Sequence, residues 1–179
     1  MNKTQENIKP LYKPSELELL VKKIFIPSAI RLTGLSLEKE SKAYLAYTFL
    51  LNGRKSIFRK AKITPTKTGQ FVAIWKRNKE GITAPYSIFD SLEYMIIFTE
   101  KEQEKGVFIF PKEALHQNKI LSDEKLNGKR GIRVYPPWDE PKNNQAMKTQ
   151  IWQKKYFLHL NDLKANQTRQ KEILYSICE

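Results

Sequence analysis

Apolar positions recur at helical spacing near the start of the chain, where Leu17, Leu20, Val21 and Ile24 follow Pro14-Ser15-Glu16. Ser15 is a candidate N-cap with acids in the first turn, and Pro27 interrupts the pattern, so a packing helix is predicted between them. Gly34 and the charged run 38–42 lead into the aromatic and aliphatic stretch 43–51, which ends at Asn52-Gly53, the dipeptide best suited to a two-residue hairpin turn. Residues 55–64 then alternate Ile57, Arg59, Ala61 and Ile63 against Phe58, Lys60 and Lys62, and a third run, 70–76, follows the turn 65–69. The pattern predicts an antiparallel meander of 43–51, 55–64 and 70–76.

Beyond the meander, 94–99 reads as a strand, although Asp90 and Glu93 also have the spacing of a helix start. Strands are expected at 106–110 and at 131–135, the second stopped by Pro136-Pro137, with a helix over 111–117 between them. From Asn143 the pattern is helical, with Met147, Ile151 and Leu158 on one face flanked by Trp152 and Tyr156. Leu163, Ile173, Leu174 and Ile177 mark a short helix after that. The sum is a mixed α/β single domain over 1–161, with 162–179 as a C-terminal helical extension.

At 40% hydrophobic residues, the 179-residue chain is too apolar for a disordered basic tail. Its apolar runs fall far short of the ~20 residues that span a bilayer, and the polar opening 1–9 has no signal-peptide core, so a cytoplasmic protein with no membrane partner is expected. A single cysteine, Cys178, excludes an internal disulfide, and His116 and His159 are too few for an imidazole or thiolate metal cluster. No cofactor or metal is expected.

The formal net charge is +13, and it is unevenly placed. Residues 54–79 carry 9 bases and no acid, 142–161 carry 4 bases and no acid, and 80–141 carry 8 bases against 11 acids. A merely soluble surface mixes the signs, so the first stretch points to a polyanionic partner.

Within 58–77, Arg59, Lys60, Lys62, Lys67, Lys76 and Arg77 are interleaved with Phe58, Phe71 and Trp75, and Gln70 lies in the same hairpin. Phosphodiester backbones take cationic donors and unstacked bases take flat rings, so this composition suits nucleic acid. Neighbours in a strand face opposite ways, however, and the competing reading is solvated lysines beside core aromatics. A second cluster, 128–139, sets Lys129 and Arg130 in a glycine-flanked turn, followed by Arg133, Tyr135 and Trp138; it is not a Walker loop, Arg133 could equally pair with a carboxylate, and Trp138 reads first as core. Metal-dependent cleavage would need converging carboxylates. The candidates Glu38, Glu40, Asp90, Glu93 and Asp139 have no diagnostic spacing and ready alternative roles in a charged run, in capping or in a turn. No catalytic residue is assigned.

Four stretches carry a resemblance: Phe58-Arg59-Lys60-Ala61-Lys62-Ile63-Thr64-Pro65-Thr66-Lys67-Thr68-Gly69-Gln70-Phe71-Val72; Phe108-Ile109-Phe110-Pro111-Lys112; 129–139; and Gln150-Ile151-Trp152-Gln153 with Tyr156-Phe157. In composition, order and spacing, over roughly 40–158, the chain resembles the MepB-like proteins of bacteria. The resemblance implies a restriction-endonuclease-like α/β fold of the PD-(D/E)XK architecture, whose core is a helix, a three-stranded meander, a helix and a strand. It also implies a nucleic-acid binder whose usual nuclease residues are missing. In active relatives of that fold the third meander strand carries an acid two residues before a lysine; here the equivalent pairs are Ile74 and Lys76, or Lys60 and Lys62, and neither supplies the acid.

The expected function is therefore binding of single-stranded DNA or RNA in preference to duplex, without metal-dependent cleavage. The residues expected at the interface are Arg59, Lys60, Lys62, Lys67, Gln70, Trp75, Lys76, Arg77, Lys129, Arg130, Arg133 and Tyr135. Two alternatives stand beside it: an active nuclease using Asp90, Glu93 and Asp139, and a basic regulatory module that binds an acidic protein.

Overall fold

Asn52 (φ 47°) and Gly53 (φ 84°) take the left-handed conformations a tight hairpin requires, and the strands on either side pair as the dipeptide predicts. The computed structural model describes residues 14–164 and 167–178; the polar opening 1–9 lies outside them. In chain order the elements are α1 (Ser15–Leu20), extended by a π-helical turn (Val21–Phe25), then β1 (Leu32–Leu37), β2 (Tyr47–Leu51), β3 (Arg54–Lys60), β4 (Lys62–Thr64), β5 (Lys67–Ala73), β6 (Trp75–Arg77) and β7 (Thr83–Pro85). There follow β8 (Tyr94–Lys101), β9 (Glu104–Pro111), α2 (Lys112–Gln117), β10 (Gly131–Val134), α3 (Asn144–Gln153), β11 (Phe157–His159) and α4 (Gln167–Cys178).

Six strands form the main sheet in the order β1-β2-β3-β8-β9-β11, with β3 and β8 parallel and every other pair antiparallel. The near-continuous apolar run at 94–98 is explained by burial on both faces. Tyr94, Ile96 and Phe98 join Phe58, Phe49 and Leu158 in a core beneath α1 and α4, while Met95 and Ile97 join Ile57, Phe108 and Phe110 in a second core under the small sheets and α2. Ile173, Leu174 and Ile177 of α4 belong to the first core, and Tyr94 Oη meets Ser176 Oγ at 2.7 Å, so the C-terminal segment is packed on the body.

The meander differs from expectation. Its three strands are β1, β2 and β3; 55–64 is broken at Ala61, whose N–H donates to Phe98 O, and β4 turns away into another sheet. The break leaves Ile63 exposed. The third run divides in two: β5 lies between β4 and β10 in a three-stranded sheet, and β6 pairs with β7. β1 escapes the sequence pattern because it is an edge strand, mostly exposed, with a register shift between Thr33 and Ser36 and Gly34 at positive φ. A helix, an antiparallel meander and a strand parallel to its third member thus occur in the order expected, but residues 61–93 between β3 and β8 form small sheets where a second helix was anticipated.

Asp90 and Glu93 do not start a helix; Asp90 Oδ2 accepts the Ser87 N–H in a turn before β8. On α3 the inward face is Ala146, Thr149, Trp152 and Gln153, whereas Met147 and Ile151 are exposed and Leu158 has already passed into β11. Among the described residues no helix is long and apolar enough to cross a membrane.

Candidate functional site

The two acid-free stretches meet. A groove of about 800 Å³ runs between the β4-β5-β10 sheet and α3; the start of β5 supplies Lys67, β10 and its flanks supply Lys129, Arg133 and Tyr135, and the entry to α3 supplies Lys142. A further hollow of about 690 Å³ shares Lys129 and Trp152 with it and adds Lys119 and Lys148. Among the described residues neither is lined by an aspartate or glutamate. Among the described residues no carboxylate lies in salt-bridge contact with Lys67, Lys129, Arg133 or Lys142.

Local chemistry holds the walls in place. Arg133 finds no carboxylate among the described residues; its guanidinium donates to Gly69 O (3.1 Å) and Thr64 Oγ1 (2.8 Å), bracing the β4–β5 hairpin that carries Lys67. The Tyr135 ring lies over Gly69, where an added Cβ would come within 2.5 Å of it, so the chain needs glycine there both for this approach and for φ 82°. Burial raises the Tyr135 phenol above its ordinary range, with Arg133 pulling the other way. Buried Gln153 joins helix to sheet: its Oε1 accepts the Tyr135 N–H (2.8 Å) and its Nε2 donates to Arg133 O (3.0 Å). Asn143 caps α3 by accepting the Ala146 N–H at 2.8 Å.

Of the residues anticipated from the sequence, the groove gathers Lys67, Lys129, Arg133 and Tyr135. The others are elsewhere. Arg59 is fully buried, ion-paired to Glu38 at 2.7 Å and bonded to Phe58 O at 2.8 Å, so it cannot present its charge to a polyanion in this fold. Lys60 is on the opposite face of β3 between Glu16 (2.7 Å) and Glu100 (2.5 Å); burial works against its charge, yet these partners hold its pKa above the ordinary range. Lys76 pairs with Asp90, and Arg77 pairs with Glu40 at 2.8 Å and lies over the Trp75 ring. Arg130 donates to Thr83 O, Lys62 is over the Tyr44 ring, and Gln70 is buried with its Nε2 on Glu100 O.

The suggested metal carboxylates are already engaged with cations. Glu38 holds Arg59, Glu40 holds Arg77, Asp90 holds Lys76, Glu93 faces Lys112 at 3.4 Å and Asp139 faces Lys101 at 3.4 Å. Burial pushes the Tyr86 phenol, beside Arg59, Glu38 and Asp90, up to about 12. No group of three or more potential metal ligands occurs among the described residues. Trp138 packs edge-on against Phe157 and His159, in keeping with its core reading.

Lys142, Trp152 and Gln153 escaped the sequence reading. The acid-free run 142–161 was a signal for the first, but nothing local says that α3 faces β5 across 70 residues of chain.

The MepB-like family model matches residues 38–159, a span that includes both groove walls. No curated protein matches the chain significantly. Among solved structures the chain is similar to the crystal structure of MepB, with 37% sequence identity and a TM-score of 0.71 over 84% of this chain and 99% of that one. A bacterial homing endonuclease, I-Ssp6803I, is matched at 9% identity and a TM-score of 0.42, over 86% of this chain and 91% of that one. The extent of the family match and the identity to MepB together place this chain in the MepB-like family.

Proposed function

We propose that this protein binds single-stranded nucleic acid, DNA or RNA, along the groove between β4-β5-β10 and α3, and that it does so without metal-dependent cleavage. The observation that carries the reading is that two acid-free stretches bring Lys67 and Lys142 to one groove, where Lys129 and Arg133 of the chain between them complete the lining. Cations held at a surface without intervening carboxylates neutralise successive phosphates and release their counterions. Tyr135 and Trp152, both half-buried at the same groove, offer ring faces to unstacked bases. A duplex keeps its bases stacked and gives such rings nothing to lie on, which favours a single strand.

Binding without cutting is supported by the placement of carboxylates. β3, the third strand of the meander, contains none, and each carboxylate suggested by the sequence is matched to a lysine or arginine. A salt titration of oligonucleotide binding tests the interface. Four neutralised phosphates give a log–log slope of roughly −3 on a single strand, and a flat response would sink the reading. In the same preparation, labelled DNA and RNA should survive Mg²⁺ and Mn²⁺; cleavage that disappears in Asp90→Ala, Glu93→Ala or Asp139→Ala would establish a nuclease instead.

A further inference from the structure

A smaller pocket, about 420 Å³, opens beside the groove and shares Lys67 and Thr68 with it. Three of its lining residues hold a side-chain atom that is withheld from solvent and has no hydrogen-bond partner among the described residues: Gln70 Oε1, Trp138 Nε1 and Asp139 Oδ2. Gln70 is 1% exposed and Asp139 is 8% exposed. Their remaining polar atoms are spoken for, since Gln70 Nε2 donates to Glu100 O and Lys101 Nζ donates to Asp139 Oδ1. Burial raises the Asp139 carboxyl above its ordinary range, with Lys101 pulling the other way. Buried polar groups are normally satisfied, so three unmet ones on residues that line one pocket describe the complement of a ligand, met once their side chains turn toward it: two acceptors and one donor seeking two N–H groups and one acceptor.

We infer that this pocket receives one base of a strand lying in the groove, and that guanine fits it best. The inference rests on the strand-binding reading above. Guanine carries N1–H and N2–H donors beside its O6 acceptor on one edge, which matches Asp139 and Gln70 as acceptors and the Trp138 indole as donor. Adenine and cytosine offer one amino group next to a ring acceptor and satisfy the set in part. Thymine and uracil place a single N–H between two carbonyls, so one carbonyl must face an acceptor oxygen. Lys67, at the junction of pocket and groove, is placed to hold the phosphate of the inserted nucleotide.

Fluorescence anisotropy with a labelled dT decamer, and with the same decamer carrying one central dG, dA, dC or abasic site, tests this. A central dG should tighten binding by about tenfold or more over dT, with dA and dC between and the abasic site no better than dT. Asp139→Asn turns one acceptor into a donor, because Lys101 claims the remaining oxygen; Trp138→Phe removes the N–H and keeps a ring; Gln70→Met removes the amide. Each variant, checked for folding by its thermal midpoint, should bring the dG-to-dT ratio to within about twofold. Salt-sensitive binding with no base preference, or a preference that survives in all three variants, overturns the base pocket while leaving the groove. Failure of every decamer to bind overturns both.

Discussion

Arg59→Ala lowers the unfolding free energy by about 3–5 kcal/mol, measured as a shift in the urea midpoint. The guanidinium has no solvent exposure, and Glu38, its partner, is only 21% exposed. Truncation leaves that carboxylate without its counter-charge, frees Phe58 O and opens a void under the small sheets. The companion Arg59→Met with Glu38→Gln removes both charges and keeps most of the volume, so it should recover most of the loss, to within about 1–2 kcal/mol of the parent. A loss under about 1 kcal/mol in Arg59→Ala would mean that this ion pair does not hold β3 to the segment after β1.

Replacing Lys67, Lys129 and Lys142 together by Gln should weaken single-strand binding on the order of a hundredfold at moderate salt, from roughly 1 kcal/mol for each exposed charge contact. The salt slope should flatten by about 2. Net charge changes as well, so the comparison is Lys39, Lys55 and Lys79 replaced by Gln, three exposed lysines outside the groove. That variant has the same net charge and should bind within a few-fold of the parent. Equal losses in the two would show that binding follows overall charge, without a defined interface.

Much of the architecture is legible in local pattern. The Asn52-Gly53 hairpin, the helix after Pro14, the strands around 94–99 and 106–110, and the helix after Pro111 all follow from periodicity and turn chemistry. Partners are not legible in the same way. β5 has the alternation of a third meander strand, but its neighbours are β4 and the distant β10, because β8 occupies the place beside β3. The same holds for charge. Nine bases in 54–79 look alike in sequence, and the fold sorts them by where Glu16, Glu38, Glu40, Asp90 and Glu100 arrive from elsewhere. Lys67 meets none of these acids and stays available, whereas Arg59, four residues after Lys55 on the same strand, is consumed by packing. Gln153 lies in one of the stretches that carry the family resemblance, but no charge marks its role, and it joins the two walls of the groove.

The carboxylate-free groove also has a consequence for the unliganded protein. Crowding Lys67, Lys129, Arg133 and Lys142 around one hollow stores mutual repulsion in the native state, which the unfolded chain relieves by spreading those charges apart. Added electrolyte screens that repulsion while competing for the phosphates of a bound strand. Ionic strength thus acts with opposite sign on the two properties, firming the empty fold and loosening its grip. A bound strand supplies the missing negative charge from within, so occupancy and heat resistance rise together through linkage, most steeply in dilute buffer.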